Sequence, residues 1–124
     1  MDDLLIQSTA ITPLIDFKKN GQLKIQGKSL PENPQHFFSP LFEWADELSS
    51  EDVKIDVILE YINTSSSKNL MKLIKQIDKN PKIRHFYLNW HYESDDLEML
   101  EFGELVATNL RRARTNYIEY EDKE

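Results

Sequence analysis

Two short apolar stretches on either side of Asn20-Gly21 form the first regular pattern in the chain. Residues 14–17 are mostly apolar and predict a strand, and Pro13 just before them favours a position at the edge of a sheet. Residues 22–27 alternate polar and apolar side chains, which predicts a second strand with one buried face. Because Asn-Gly readily adopts the positive φ of a tight turn, we expect the two strands to form an antiparallel hairpin.

A helical pattern follows, with apolar residues three or four positions apart at Phe37, Leu41, Trp44 and Leu48. Asn33 can cap the start of this helix, and Pro34 suits its first position. Pro40 interrupts the pattern, so either Ser39-Pro40 is the true start or the helix bends there. We expect one bent helix.

The strongest strand pattern, residues 53–62, runs directly into a cluster of polar side chains at residues 63–67. Apolar residues on both faces of this strand predict a central position in a sheet that is covered at least partly on both sides. An amphipathic helix follows the cluster and ends at Asn80-Pro81. Its inner residues are predicted to be Leu70, Leu73, Ile74 and Ile77.

The last third of the chain repeats the alternation of strand and helix. Residues 83–92 predict a strand rich in aromatic side chains. Residues 93–96 place acidic side chains at the start of a third helix, where the helix dipole favours them. Residues 117–120 predict a short last strand. The inner residues of the third helix are predicted to be Leu97, Leu100, Val106 and Leu110.

The resulting order, β-β-α-β-α-β-α-β, predicts a single α/β domain over residues 1–124. Strands separated by helices of this length are expected to be parallel neighbours. The predicted architecture is therefore a mixed β-sheet with an N-terminal β-hairpin and helices packed on it. Residues 1–10 show no clear period, and we expect frayed tails within residues 1–10 and 115–124.

Composition and charge argue against several classes of function. The chain has 124 residues and a formal net charge of −7, and an acidic surface repels nucleic acid. The absence of cysteine excludes disulfides, thiolate metal sites and cysteine nucleophiles. The acidic first residues do not resemble a signal peptide, and no apolar stretch reaches the length of a membrane span. We therefore expect a cytoplasmic protein without membrane insertion. The basic segment 111–114 (RRAR) follows a predicted helix. Positive side chains are favourable at the C-terminus of a helix, because the helix dipole is negative there.

The sequence predicts no catalytic residue, no cofactor and no metal site. His85 and His91 lie on one predicted strand roughly 20 Å apart, too far to share an ion, and His36 has no ligand at helical spacing in its turn. Residues 65–68 match S-x-x-K, but the companion motifs of the acylating enzymes that use it are absent. With three glycines in the chain, no phosphate-cradling loop is present.

The polar cluster after the central strand has two interpretations. Asn63, Ser65 and Ser66 are residue types that cap helices, because their side-chain oxygens accept backbone N–H groups of the first turn. The same free N–H groups and the helix dipole would also favour a phosphoryl group, with Lys68 placed to neutralise it. Phosphorylation adds nearly two negative charges and would switch partner binding without refolding. The residues taken alone favour the cap.

Five blocks of the chain match, in order, the pattern of one known family: residues 27–33 (GKSLPEN), 37–44 (FFSPLFEW), 60–68 (EYINTSSSK), 89–96 (NWHYESDD) and 99–103 (MLEFG). Together they resemble the SiaC family of bacterial regulatory phosphoproteins, from about Thr12 to Val106. The resemblance implies a fold similar to STAS domains and a role in partner switching. It agrees with the element order predicted from the residues.

The resemblance also implies a set of partners and a modified residue. In that family a serine/threonine kinase phosphorylates a threonine at the strand-to-helix junction, and a PP2C-type phosphatase reverses this. The unphosphorylated protein binds and activates a diguanylate cyclase, which links it to cyclic-di-GMP signalling and biofilm formation. The threonine falls on Thr64 here. Asn63, Ser65 and Ser66 match its neighbours, and Ser65 and Ser66 are expected to cap the helix or to act as secondary acceptors.

Three hypotheses of function follow from the sequence. The leading one is a non-enzymatic signalling switch that is phosphorylated on Thr64. The second is a STAS-like adaptor that binds a protein partner without phosphorylation, in which case the cluster is only a cap. The third is a small-molecule-binding or hydrolytic domain that uses the hydroxyl cluster, although no base is aimed at these hydroxyls in the sequence.

Overall fold

The computed structural model describes residues 1–122 and contains one six-stranded sheet with three helices. The strands are β1 (Leu4–Ile6), β2 (Leu14–Phe17), β3 (Gln22–Ser29), β4 (Asp52–Ile62), β5 (His85–Glu93) and β6 (Arg114–Tyr120). The helices are α1 (Pro34–Glu47), α2 (Thr64–Lys79) and α3 (Leu97–Thr108). The predicted order of elements is confirmed, with one strand added at the N-terminus.

The strands lie in the sheet in the order of the chain. β1, β2 and β3 are antiparallel neighbours, whereas β3, β4, β5 and β6 run parallel, so the sheet is mixed as predicted. The hairpin between β2 and β3 turns at Gly21, whose φ is 99°. A side chain at Gly21 would overlap the backbone carbonyl of Asp52, so both conformation and space require glycine there.

The first strand corrects the expectation of a frayed N-terminus. β1 pairs with β2, and the backbone carbonyl of Asp2 accepts a hydrogen bond of 2.7 Å from the Trp44 indole. β2 is consequently the second strand of the sheet and not its edge. A strand of three residues is too short to show a period, so its pairing was not visible in the sequence.

Helix α1 is continuous from Pro34 to Glu47 and passes through Pro40, so the alternative start at Ser39-Pro40 is wrong. Asn33 caps it as predicted, since its side chain accepts the N–H of His36 at 3.1 Å. Within residues 1–122, none of the three helices is long and apolar enough to cross a membrane.

All three helices pack on one face of the sheet, which corrects the prediction that the sheet is covered at least partly on both sides of β4. On the packed face Val53, Ile55 and Val57 are fully buried. On the other face Lys54 is exposed, and Ile58 is half-buried between Gln26 of β3 and His91 of β5. Ile58 is therefore shielded by its neighbours in the sheet and not by a helix.

Helix α3 rests on Trp90 of β5. The Trp90 indole N–H donates to the carbonyl of Met99 at 2.9 Å, and its ring meets Phe102 edge-on at 5.3 Å. Gly103 lies directly over the ring, where a Cβ would overlap it. This contact turns Met99 and Val106 inward and leaves Leu97 62% exposed, so the prediction of Leu97 as an inner residue is wrong.

The C-terminal part of the chain forms β6, which pairs in parallel with β5 from Arg114 to Tyr120. The expectation that residues from 115 onward form a frayed tail is therefore wrong up to Tyr120, while Lys123 and Glu124 lie outside the described residues. The strand is longer than the predicted 117–120.

The basic segment before β6 has a different role from the one predicted. The Arg112 guanidinium donates hydrogen bonds to the backbone carbonyls of Asp78, Asn80 and Ile83. It therefore binds carbonyl groups at and just after the C-terminus of α2, and not those of α3. Neighbouring backbone N–H groups of this segment bind the carboxylate of Asp78, which is 3% exposed. The segment therefore locks β6 to the end of α2.

Candidate functional site at the start of helix α2

The strands β3, β4 and β5 each lead to a helix at the same edge of the sheet, because parallel strands end on one side. Each helix begins after an Asn or Asp whose Oδ1 accepts the N–H three residues later. These caps are Asn33, Asn63 and Asp96, with bonds of 3.1, 2.9 and 3.0 Å. Three positive helix ends therefore face this edge, where α/β sheets commonly bind ligands.

Asn63 organises the start of α2. Its side chain accepts the N–H of Ser66, and its own backbone N–H donates to the carbonyl of Ser29 at 3.0 Å. Its carbonyl accepts both the N–H and the hydroxyl of Ser67, each at 2.9 Å. The side chains of Ser65 and Ser66, which were expected to share in capping, do not cap this helix, because Asn63 already holds the position before it.

The cluster separates into exposed and buried hydroxyls. Thr64 and Ser65 are exposed, and their backbone N–H groups have no partner within residues 1–122. Ser66 is fully buried, and its hydroxyl makes no hydrogen bond with any described residue. Ser66 therefore does not fit the expected role of a secondary phosphoryl acceptor, since a kinase could not reach it in this fold. Its burial was visible in the sequence, because it precedes the inner residue Leu70 by one helical turn.

The surroundings of Thr64 carry both signs of charge. Lys68 is exposed one turn further along α2, on the same face as Thr64. On the other side, a shallow cavity of about 260 Å³ lies between the end of β4 and the start of α3, with Glu60, Asp96 and Glu98 in its lining. Tyr61 also lines this cavity, and its side chain is 51% exposed.

A larger cavity of about 710 Å³ lies on the helix-free face near the same edge. Burial raises the pKa of the Tyr120 phenol above its usual value, and four carboxylates raise it further, those of Glu60, Glu93, Asp96 and Asp122. His91 also lines the cavity, and its Nε2 lies 2.9 Å from Asp56. Within residues 1–122, no group of three or more His, Cys, Asp or Glu side chains is arranged to hold a metal ion.

The model of the SiaC family, described as regulatory phosphoproteins, matches residues 6–120 of this chain. This protein belongs to the SiaC family. An uncharacterized protein of Pseudomonas aeruginosa (strain UCBPP-PA14) is 31% identical over 109 residues, which cover 84% of this chain and 86% of that protein. The family resemblance inferred from the sequence blocks is thereby confirmed.

Solved structures of SiaC proteins share this fold. SiaC of Pseudomonas aeruginosa superposes with a TM-score of 0.81 at 27% identity, over 97% of this chain and all of that chain. The crystal structure of diguanylate cyclase SiaD in complex with its activator SiaC, from the same organism, contains a chain that matches with a TM-score of 0.82 at 26% identity. That match covers 95% of this chain and all of the other. The predicted mixed α/β fold is confirmed by these matches and by the sheet itself.

Proposed function

We propose that this SiaC family member is a non-enzymatic, phosphorylation-controlled activator of a diguanylate cyclase, acting in the cytoplasm. The unphosphorylated protein would bind the cyclase and raise its activity, and phosphorylation of Thr64 would weaken that binding. The observation that carries the proposal is the match, over 95% of the chain, to a structure of a cyclase with its SiaC activator.

The position of Thr64 supports its assignment as the acceptor. Its hydroxyl is on an exposed residue in the first turn of α2, beside backbone N–H groups without partners. A phosphoryl group there would sit at the positive end of the helix dipole, within reach of those donors, and Lys68 would partly neutralise it. Asn63 keeps the cap occupied in either state. The switch would therefore act by charge and bulk at the surface and leave the fold unchanged.

Reversible control requires two further partners. We propose that a serine/threonine kinase adds the phosphoryl group and that a PP2C-type phosphatase removes it. Ser65 is a second exposed hydroxyl next to Thr64 and would be the secondary acceptor, whereas the buried Ser66 would not.

The test combines the protein with a diguanylate cyclase from its own host and measures cyclic-di-GMP formation. Wild type and Thr64→Ala should both activate the cyclase. Thr64→Glu should lower the rate of cyclic-di-GMP formation by about tenfold or more, because the added negative charge opposes docking. Ser65→Ala is the matched control and should behave as wild type. Phosphopeptide mapping of protein isolated from the host should find Thr64 as the main modified residue, and Thr64→Ala should remove that modification and leave at most a minor one on Ser65.

Two outcomes would contradict separate parts of the proposal. If Thr64→Ala and Thr64→Glu activate the cyclase equally and no modified protein is found in the host, control by phosphorylation is contradicted. The protein would then be an adaptor that binds its partner constitutively. Failure of every form to bind or activate the cyclase would remove the cyclase as partner.

A further inference from the structure

Helix α2 carries a line of basic side chains along its outer surface. Lys68, Lys72, Lys75 and Lys79 are spaced by four, three and four residues and therefore share one face, and Lys82 continues the line beyond the helix end. We call these five residues the α2 lysine row. Its helical part extends about 16 Å, at about 1.5 Å per residue.

The α2 lysine row stands out against an acidic molecule with a net charge of −7. The neighbouring helix α1 has three acidic residues and no lysine or arginine, and α3 has three glutamates and no basic residue. The only acidic residue of α2 is Asp78, which is buried and bound to the segment before β6. A positive line thus runs between two negative helices on the same side of the sheet.

No carboxylate within residues 1–122 lies within 4.0 Å of any lysine in the row. Lys68 and Lys72 are four residues apart, as are Lys75 and Lys79, and like charges at this spacing destabilise an isolated helix. The dipole of α2 favours Lys79 in its last turn, but neither this effect nor pairing within the described residues accounts for Lys68 and Lys72, which lie outside that turn.

A preformed groove of about 680 Å³ lies beside the row, between α1 and α2, and four of the five lysines line it. Two hydrogen bonds fix the position of α2 relative to α1. One comes from a side chain within α2 and the other from the residue that caps its C-terminus, and both are donated to backbone carbonyls of α1 or its C-cap. Gln76 donates to Phe42 at 3.0 Å, and Asn80 donates to Leu48 at 2.8 Å. The relative position of the two walls is therefore set before any partner binds.

The form of the groove indicates the class of its occupant. Among residues 1–122, those that line the groove include no aromatic platform and no arginine, and their one carboxylate is that of Asp46 on the α1 wall of the groove. Its positive charge is spread over several helical turns instead of converging on one point. Carboxylates repeated along one face of a polypeptide match such a line.

We propose that the α2 lysine row and the groove beside it bind an acidic, helical segment of a partner protein. The proposal needs neither the cyclase nor phosphorylation. If the proposed control at Thr64 also holds, the two sites are coupled. Thr64 precedes Lys68 by four residues and heads the same line, so that a phosphate there would compete with the acidic segment.

The test uses a fluorescein-labelled helical peptide with glutamates spaced by four, three and four residues, and a second peptide with glutamine at those positions. Fluorescence anisotropy should detect binding of the glutamate peptide to the wild-type protein, weakening as salt is added. Lys72→Gln/Lys75→Gln/Lys79→Gln should weaken it by about tenfold or more. The matched control is Lys19→Gln/Lys24→Gln/Lys54→Gln, which removes equal charge from exposed positions elsewhere and should weaken binding far less.

A charge-reversed variant shows whether a loss of peptide binding is caused by the changed charge or by misfolding of the protein. Lys72→Glu/Lys75→Glu/Lys79→Glu/Lys82→Glu gives the row a net charge of about −3 and should gain binding to a third peptide that carries lysine at the glutamate positions, which an unfolded protein would not do selectively. Equal weakening by both triple variants, or equal binding of the glutamine peptide, would overturn the proposal. So would displacement of the peptide by inorganic tripolyphosphate at a lower concentration than by unlabelled peptide. Sedimentation that shows a wild-type dimer lost in the α2 lysine triple variant would assign the row to a second copy of the chain instead.

Discussion

The carboxylate of Asp78 joins the end of α2 to the segment before β6. Its Oδ2 accepts the N–H of Arg111 at 2.8 Å, and its Oδ1 accepts those of Arg112 and Ala113 at 3.1 and 2.9 Å. A carboxylate that is buried needs such donors, because transfer of an unpaired charge from water is costly. The sequence offers no local cue to this contact, since the partners lie 33 to 35 residues away.

We expect Asp78→Ala to lower the free energy of unfolding by about 3 kcal/mol, because three backbone N–H groups lose their acceptor in the interior. Urea denaturation followed by circular dichroism measures the change. Asp46→Ala is the matched control, since the Asp46 side chain is exposed and makes no hydrogen bond or ion pair among the described residues, and it should shift stability by less than about 0.5 kcal/mol. A similar small effect for both variants would contradict the role given to Asp78.

The hydroxyl cluster shows how far residue types alone define a site. Asn, Thr and Ser at a strand-to-helix junction correctly indicated a helix start, because all three cap helices. The distinction between Thr64 and Ser66 depends on the phase of α2 against the core, which exposes one and buries the other. Residue types therefore identify the candidate phosphoryl acceptors, and the packing of α2 determines which of them are exposed.

Helices α2 and α3 differ in how well their buried faces could be predicted. Leu70, Leu73, Ile74 and Ile77 of α2 repeat with a clear helical period and are all buried. In α3 the apolar residues surround the helix, and the face that packs is decided by Trp90 beneath Gly103. A long-range contact of this kind leaves no period in the sequence, and Leu97 was accordingly misplaced.

We expect Gly103→Ala to destabilise the protein by about 1–3 kcal/mol, although alanine favours helices, because its methyl group would overlap the Trp90 indole. Thermal denaturation and the near-ultraviolet circular dichroism of tryptophan would report both the loss of stability and the movement of the ring. Leu105→Ala tests the same helix at a position that is 55% exposed and should be nearly neutral. Stabilisation by Gly103→Ala would show that α3 does not rest on the ring.

At the scale of the whole molecule, the sheet is covered on one side only and ends in two edge strands of unequal strength. β6 has seven residues and is fastened through Asp78, whereas β1 has three residues and pairs only with β2. The parallel core was predictable because each strand alternates with a helix long enough for a crossover. β1 was not predictable, because it is too short to show a period, and only residues 117–120 of β6 were predicted, because the strand begins before its clearest apolar residues.

Removal of residues 1–6 should lower the free energy of unfolding by about 2 kcal/mol, because the core loses its contacts with the half-buried Leu4 and Ile6 and the Trp44 indole N–H loses its acceptor. It should also promote self-association, since β2 would become an open edge. Urea denaturation and size-exclusion chromatography measure the two effects. Leu5→Ala, at a position 58% exposed, should cause neither, and unchanged stability of the truncated chain would contradict the structural role of β1.

Because the strands follow chain order across the sheet, β1 and β6 lie at opposite margins. With about 4.8 Å between neighbouring strands, five intervals separate them by about 24 Å. A short linker could not join these margins to give a circular permutant, because it would have to cross the sheet or the helices. Fluorophores attached beside the two strands would instead have a separation set by the sheet, and energy transfer between them would follow unfolding without perturbing the start of α2.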